Sequence, residues 1–106
     1  MQSVNLFSEP LQSLAFGDIS GTYALLGTLA NPSQVYLVQN LSNATMTFSY
    51  DGTTDNFQLP ALGYIILDVG TNKGNFQSLS VPQGTSISVK GVATGGQVNL
   101  STWYMG

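Results

Sequence analysis

The 106 residues and 42% apolar content predict one folded domain and exclude disorder, although only 7% of residues are charged and the net charge is −3. Cysteine and histidine are absent, which excludes disulfide bonds, thiolate metal sites and the commonest general base of enzymes. The only cations are Lys73 and Lys90, so the clustered positive charge that nucleic-acid binding requires is missing.

Residues 1–20 are predicted to form an N-terminal arm or contact segment ahead of the folded domain, residues 21–106. Within this segment Ser8–Phe16 is a candidate helical turn, with its serine as N-cap and with Leu11, Leu14 and Ala15 on one face. The alternative is an extended arm that reaches onto a neighbouring molecule. The apolar residues predicted to make a partner contact are Leu6, Phe7, Leu11, Leu14 and Phe16.

The rest of the chain alternates apolar and polar residues with the period of two that is typical of β-strands. The predicted strands lie within Gly21–Ala30 (interrupted or bulged at Gly27), Gln34–Asn40, Ala44–Tyr50, Asn56–Leu59, Gly63–Val69, Thr85–Val92 and Gln97–Met105. Turn signals rich in Asn, Asp, Gly and Pro separate these segments. Short strands with turns every 8 to 12 residues predict an all-β fold. The expected architecture is one antiparallel β-sandwich, jelly-roll or immunoglobulin-like, of about seven or eight strands.

The alternation also predicts which side chains face the core. In the two C-terminal strands the inward residues are Ile87, Val89, Val98 and Leu100, and Asn99 faces outward. In the Ala44–Tyr50 segment the predicted inward residues are Met46, Phe48 and Tyr50, and the outward ones are Thr45, Thr47 and Ser49. The Gly63–Val69 segment is apolar on both faces, which predicts a central strand.

Asp51 and Asp55 lie four residues apart in the stretch YDGTTDNF and have two interpretations. Their carboxylates could bind calcium together with the hydroxyls of Thr53 and Thr54. The spacing does not match a calcium loop, whereas Asp-Gly between alternating strands is a strong hairpin signal. We therefore expect a hairpin connection here.

Other candidate catalytic groups are few. Asp68 ends an apolar run, where it could be partly buried beside a donor such as Lys90, although we expect it to end its strand and cap the following turn. The glycine-rich GTNKG and ATGG stretches lack phosphate-binding spacing and a following helix. Serines are present without a nearby base, so neither enzymatic activity nor a cofactor is expected.

Six aromatic residues suggest a sugar-binding platform as a further alternative; they are Tyr23, Tyr36, Tyr50, Tyr64, Trp103 and Tyr104. Because successive residues of a strand point to opposite faces, Trp103 and Tyr104 cannot both lie on one platform. Tyrosines at the edges of sandwiches usually bury the ring and leave the hydroxyl in water. Carbohydrate or receptor binding therefore stays a secondary hypothesis.

The low charge predicts how the surface interacts. Ser, Thr, Asn, Gln and Gly must cover it, and such a surface has little charge to repel a neighbouring copy. We therefore expect a homo-oligomer or another assembly. No stretch is long or apolar enough to span a bilayer, and the N-terminus lacks the pattern of a signal peptide. Without such a signal, the sequons at Asn40, Asn43 and Asn99 are expected to be unused in a cytoplasm.

The stretch QNLSNATMTFSYDGTTDNFQLPALGYIILDV resembles small structural proteins of tailed bacteriophages. In these proteins an Asn-rich turn precedes a strand that ends in Ser, an aromatic residue and Asp-Gly. A short strand ending in Leu-Pro and a Gly-aromatic strand ending in Leu-Asp follow. The later pieces PQGTSISVKG and GQVNLSTWY are similar to their last strands, so that the resemblance covers Val38–Tyr104.

The resemblance implies a protein of the virion, located on the outer surface of the head. Its leading interpretation is a decoration or cement protein that binds the major capsid protein and stabilises the shell through many weak, neutral contacts. The alternative within the virion is a component of the head–tail connector, the tail or the collar. Both interpretations expect partners among virion proteins and none among nucleic acids or membranes.

Overall fold

Nearly every segment with alternating residues forms a strand in the computed structural model, which describes residues 6–31, 33, 35–68 and 83–105. The strands are β1 (Leu6–Ser8), β2 (Gln12–Ala15), β3 (Ala24–Thr28), β4 (Val35–Asn40), β5 (Met46–Ser49), β6 (Phe57–Leu59), β7 (Tyr64–Asp68), β8 (Ser86–Lys90) and β9 (Gln97–Met105). A 3₁₀ turn at Phe16–Asp18 follows β2.

The strands form two antiparallel sheets. Sheet I has the order β1-β9-β4-β7, and β2 pairs with β9 next to β1. Sheet II has the order β3-β8-β5-β6. The long strand β9 pairs with β4 along one edge, and its other edge takes β2 at one end and β1 at the other. The prediction of an all-β antiparallel sandwich is confirmed.

The core lies between the two sheets and is almost entirely apolar. The predicted inward residues Ile87, Val89, Val98 and Leu100 are at most 1% exposed, as their alternation requires. Phe48 of β5 is fully buried and stacks on Phe57 of β6 with ring centroids 4.9 Å apart. Full burial of a side chain of this size contributes about 1.5–3 kcal/mol.

The candidate helix at Ser8–Phe16 does not form, because its backbone pairs with β9 instead. Ser8 lies opposite Trp103 in β1, and Leu14 lies opposite Val98 in β2. The edge of β9 presents N–H and C=O groups that need partners, and an extended segment satisfies them where a helix would not. Residues 6–8 and 12–15 of the predicted arm thus belong to sheet I of the same chain.

The predicted bulge at Gly27 is confirmed, since the register between β3 and β8 shifts between Leu25 and Gly27. The Gln12 side-chain amide reaches this place from sheet I. It accepts from the N–H of Thr28 at 3.2 Å and donates to the carbonyl of the same residue at 3.4 Å. A Cβ at Gly27 would lie 2.7 Å from Gln12 Cδ, so the glycine makes room for this link between the sheets.

The burial of three side chains differs from the prediction, although Ser49 and Asn99 do lie on the outer sides of their sheets as alternation requires. Tyr50 is 40% exposed, because β5 ends at Ser49 and the next residue begins the loop. Ser49 is buried, where its hydroxyl accepts the N–H of Gly52 at 2.9 Å and donates to Asp51 at 2.7 Å. Asn99 is only 7% exposed on the outer side of sheet I, in the middle of the sheet between β4 and β2.

Among the described strands, the prediction that Gly63–Val69 forms a central strand is also wrong. Its β7 is the last strand in the order of sheet I and pairs with β4 alone among the described strands. A strand with two apolar faces is usually covered on both sides by its own chain. Here Tyr64 and Ile66 are 65% and 55% exposed, which leaves an apolar strand at an edge.

Candidate assembly surface

The loop that holds Asp51 connects β5 and β6 as a hairpin, as predicted. Asp51 Oδ1 accepts the N–H groups of Thr53 and Thr54 at 2.9 and 2.7 Å, and its Oδ2 accepts the Thr54 hydroxyl at 2.8 Å. These bonds, the backbone N–H of Thr54 foremost, hold the pKa of Asp51 well below its usual range. The carboxylate therefore acts as the internal brace of its own turn.

Asp55 points to different partners. Its carboxylate forms an ion pair with Lys90 at 3.0 Å and accepts the hydroxyl proton of Tyr23, and the Lys90 ammonium lies 4.7 Å from the centre of the Tyr23 ring. The hydrogen bonds from Tyr23 and Lys90 lower the pKa of Asp55, while desolvation and the bond to Asp55 raise the pKa of Tyr23 to about 12. Among the described residues no three acidic side chains come together as a metal site.

We expect acid to destabilise the protein through these two aspartates. A carboxylate with a pKa below its unfolded value of about 3.9 stabilises the fold above that pH and loses this contribution as the pH falls. The chemical denaturation midpoint should therefore drop as the pH falls below about 4. In the double variant Asp51→Asn, Asp55→Asn this drop should be clearly smaller, and an equal drop in both proteins would contradict the assignment.

The sequence suggested Lys90 as a donor to Asp68, but its ammonium pairs with Asp55 instead. Asp68 does end β7, as expected. The turn that it was expected to cap, at GTNKG, lies outside the described residues.

The five predicted contact residues of the N-terminal segment have different surroundings. Phe7, Leu11 and Phe16 are 43%, 59% and 39% exposed. Leu14 is partly buried and packs against the core, as its pairing with the buried Val98 requires. The backbone of Leu6 pairs with Met105 at the end of sheet I. The segment thus combines a structural role in the sheet with exposed apolar side chains.

The aromatic residues proposed as a sugar platform are distributed over the molecule. Tyr36 is buried in the sandwich, where its hydroxyl bonds to that of Tyr50; burial and this bond raise the pKa of Tyr36. Tyr23 belongs to the cluster with Lys90. Tyr104 stacks on Phe7 with centroids 5.6 Å apart. These rings do not lie on one flat surface.

A cleft of about 350 Å³ lies where β1 and β2 meet the end of β3, lined by residues that include Gln12, Thr28 and Tyr104. Glu9 is its acidic side chain. One carboxylate oxygen accepts from the Asn31 amide and the other from the Thr102 hydroxyl, both at 2.9 Å. The carboxylate thus ties β9 to the loop after β3.

The outer side of sheet I carries a group of apolar side chains. Residues paired across an antiparallel sheet share a face, and Val38 and Leu100 are fully buried partners that define the inner one. Their neighbours along the strands therefore point outward. The apolar outward residues, called the apolar face below, are Val35, Leu37, Tyr64, Ile66 and Trp103. The polar Gln39, Asn99 and Ser101 lie on the same side, and the position of Asp68 pairs with Val35 at its end.

The outer side of sheet II is polar by contrast. Its outward residues include Thr28, Thr47, Gln58, Ser86, Ser88 and Lys90, with Leu25 as an exposed exception. Several bond to each other, as Gln58 does to Thr47 at 3.1 Å and Thr28 to Ser86 at 3.1 Å. The outer side of sheet I thus exposes more apolar surface than that of sheet II, and an exposed apolar patch often marks a surface that another molecule covers.

Comparisons with known proteins give a remote structural likeness. No protein-family model and no curated protein matches the chain by sequence. One solved structure, from the Bacillus endospore appendages described as disulfide-linked pili, aligns with 97% of this chain and 90% of its own at 15% identity and a TM-score of 0.45. No helix among the described residues has the length and hydropathy needed to cross a membrane.

Proposed function

We propose that the protein is a non-enzymatic structural component of a bacteriophage virion, with decoration of the outer surface of the head as its role. The observation that carries the assembly role is the contrast between the apolar face of sheet I and the hydroxyl-rich side of sheet II. A sandwich with such faces can lie flat on a shell, with the apolar face in contact with the shell and the polar side in water. The placement in a virion is supported by the sequence resemblance over Val38–Tyr104.

The contact with the shell would be neutral. The five residues of the apolar face are uncharged, and burying Ile66 completely against a partner contributes up to about 1.5–3 kcal/mol. The exposed Phe7, Leu11 and Phe16 offer a second contact on the N-terminal segment, with the major capsid protein as the expected partner. Because hydrophobic contacts are screened little by ions, binding should change little between about 0.05 and 0.5 M salt.

The test uses particles that lack the protein, to which the purified chain is added back before sedimentation and quantification of the bound copies. Leu37→Thr removes an apolar group from the middle of the face while keeping a residue that favours strands. We expect the affinity of the chain for the particle to fall at least about tenfold, since every bound copy loses the same apolar contact.

The matched control is Leu25→Thr, which removes an exposed leucine from the polar side and should leave binding unchanged. Equal binding by both variants and the unaltered chain would contradict the role of the apolar face. The saturating copy number tests the position in the virion. Hundreds of copies support decoration, whereas a number matching the symmetry of the connector or tail would contradict it.

A further inference from the structure

Among the described residues, the edge of β7 that faces away from β4 has no paired strand, and its backbone groups are ready to pair. The N–H of Asn40 donates to the carbonyl of Gly63 at 2.8 Å, next to the first residue pair of β4 and β7. Hydrogen-bonded and non-hydrogen-bonded pairs alternate along an antiparallel ladder. The groups of Ile65 therefore point to β4, and the N–H and C=O groups of Tyr64 and Ile66 point away from it.

This edge lacks the features that usually prevent association. Natural edge strands are protected by lysine, proline, a bulge or an inward charge. Positions 64–67 read Tyr-Ile-Ile-Leu and pair with β4 without a register shift, and the charge of β7 is confined to Asp68 at its end. Within the described ranges no strand lies beyond β7.

We propose that β7 pairs antiparallel with β7 of a second copy of this chain, about a two-fold axis at Ile66. In this register Ile66 faces Ile66 of the second copy, Ile65 faces Leu67, and Tyr64 faces position 68. The outward-pointing groups of both strands meet in about six backbone hydrogen bonds. Sheet I then continues from one copy to the next, and so does the apolar face.

The charges favour the antiparallel orientation of the two copies. Each copy carries a net charge of −3, so contact between copies is least unfavourable where the acidic positions of the two strands lie far apart. In the antiparallel register the two Asp68 positions lie at opposite ends of the pair, about 14 Å apart and beyond a Debye length of about 8 Å. A parallel pairing would bring these acidic positions next to each other.

The area of the contact predicts its strength. Two five-residue strands that pair at their edges bury a few hundred Å², well under the roughly 1,200–2,000 Å² of stable interfaces. The isolated dimer should therefore be weak, with a dissociation constant of about 10–500 µM. Such a contact is effective where many copies are held close together.

The test makes use of the absence of cysteine from the chain. Residues that face each other as a hydrogen-bonded pair have Cα atoms about 5.5 Å apart, within the range that a disulfide bridges. Ile66→Cys should therefore form a disulfide-linked dimer under mild oxidation. Tyr64→Cys on the same strand and the equally exposed Leu25→Cys on sheet II should form it at least about tenfold more slowly.

Sedimentation velocity provides a second readout that needs no cysteine. The unaltered chain should dimerise with rising concentration, Ile66→Lys should stay monomeric because two ammonium groups would meet at the axis, and Leu25→Lys should behave as the unaltered chain. A monomer at every concentration up to about 1 mM, or equal cross-linking at positions 64 and 66, would overturn the proposal. The experiment uses the purified chain alone, so its failure leaves the binding to particles as a separate question.

Discussion

Replacing Asn40 by alanine should lower the free energy of unfolding by about 3–5 kcal/mol, a large part of the stability of a domain of this size. Asn40 is fully buried at the end of β4. Its amide donates to the carbonyls of Ala44, Leu59 and Pro60 at 2.8, 3.0 and 3.0 Å. One side chain thus joins β4, the entry to β5 and the end of β6.

The carbonyl oxygen of Asn40 is also in use, since it accepts the backbone N–H of Ser42 at 3.1 Å and the Ser42 hydroxyl at 2.5 Å. Alanine would leave several of these groups buried without partners, and each such group costs about 1–3 kcal/mol. Asn43→Ala is the matched control, because it removes the same side chain from an exposed site in the same turn. Equilibrium urea unfolding should show a loss under about 1 kcal/mol for the control, and similar losses for both variants would contradict the buried role of Asn40.

Local patterns predicted the strands well. Alternation placed every second residue of β8 and of the first part of β9 in the core, and Ile87, Val89, Val98 and Leu100 are buried in the structure. The bulge at Gly27 was predictable for the same reason: a glycine within an alternating run marks a place where the pleat is interrupted. Asp-Gly likewise predicted the hairpin after β5. These features depend on a few neighbouring residues, so the sequence contains them directly.

The features that were mispredicted depend on pairing between distant segments. The residues of Ser8–Phe16 do not show that β9 offers an edge to pair with. A weakly helical segment and an extended strand could therefore not be distinguished from this sequence alone. Asn99 is buried because β2 covers the edge of β9 beside it, which local alternation does not express. The partners of Asn40 come from three separate segments, so its importance was visible only after folding.

The wrong prediction for β7 concerns residues that belong to the apolar face. Apolar residues on both faces predict that a strand is covered on both sides, but the pattern does not say whether the cover comes from the same chain. In the structure Tyr64 and Ile66 lie at an edge instead of the centre. Where a second molecule covers these two side chains, the apolar pattern of β7 reflects the assembled protein and not the single chain.

The second large effect is expected at Gly96, where the turn before β9 crosses the turn after β4. Its φ is +96°, a conformation that costs L-residues about 1–2 kcal/mol. A Cβ at this position would also lie 2.6 Å from the Cα of Ser42 and 2.9 Å from the backbone carbon of Leu41, neither of which can move without the chain. Gly96→Ala should therefore lower the free energy of unfolding by about 3 kcal/mol or more.

A comparison with Gly52 separates the conformational cost from the steric cost of the substitution at Gly96. Its φ is +80°, but the nearest atom to a Cβ there is the Ser88 hydroxyl at 4.0 Å, so Gly52→Ala has the conformational cost without the collision. Thermal unfolding should show a fall in Tm of about 5–10 °C for Gly52→Ala and about 15 °C or more for Gly96→Ala. Equal shifts would mean that the two turns do not approach closely. A larger shift at Gly96 would place their contact, which also includes the hydrogen bond from the Leu41 N–H to Gln97 at 2.8 Å, among the interactions that hold β9 in the middle of sheet I.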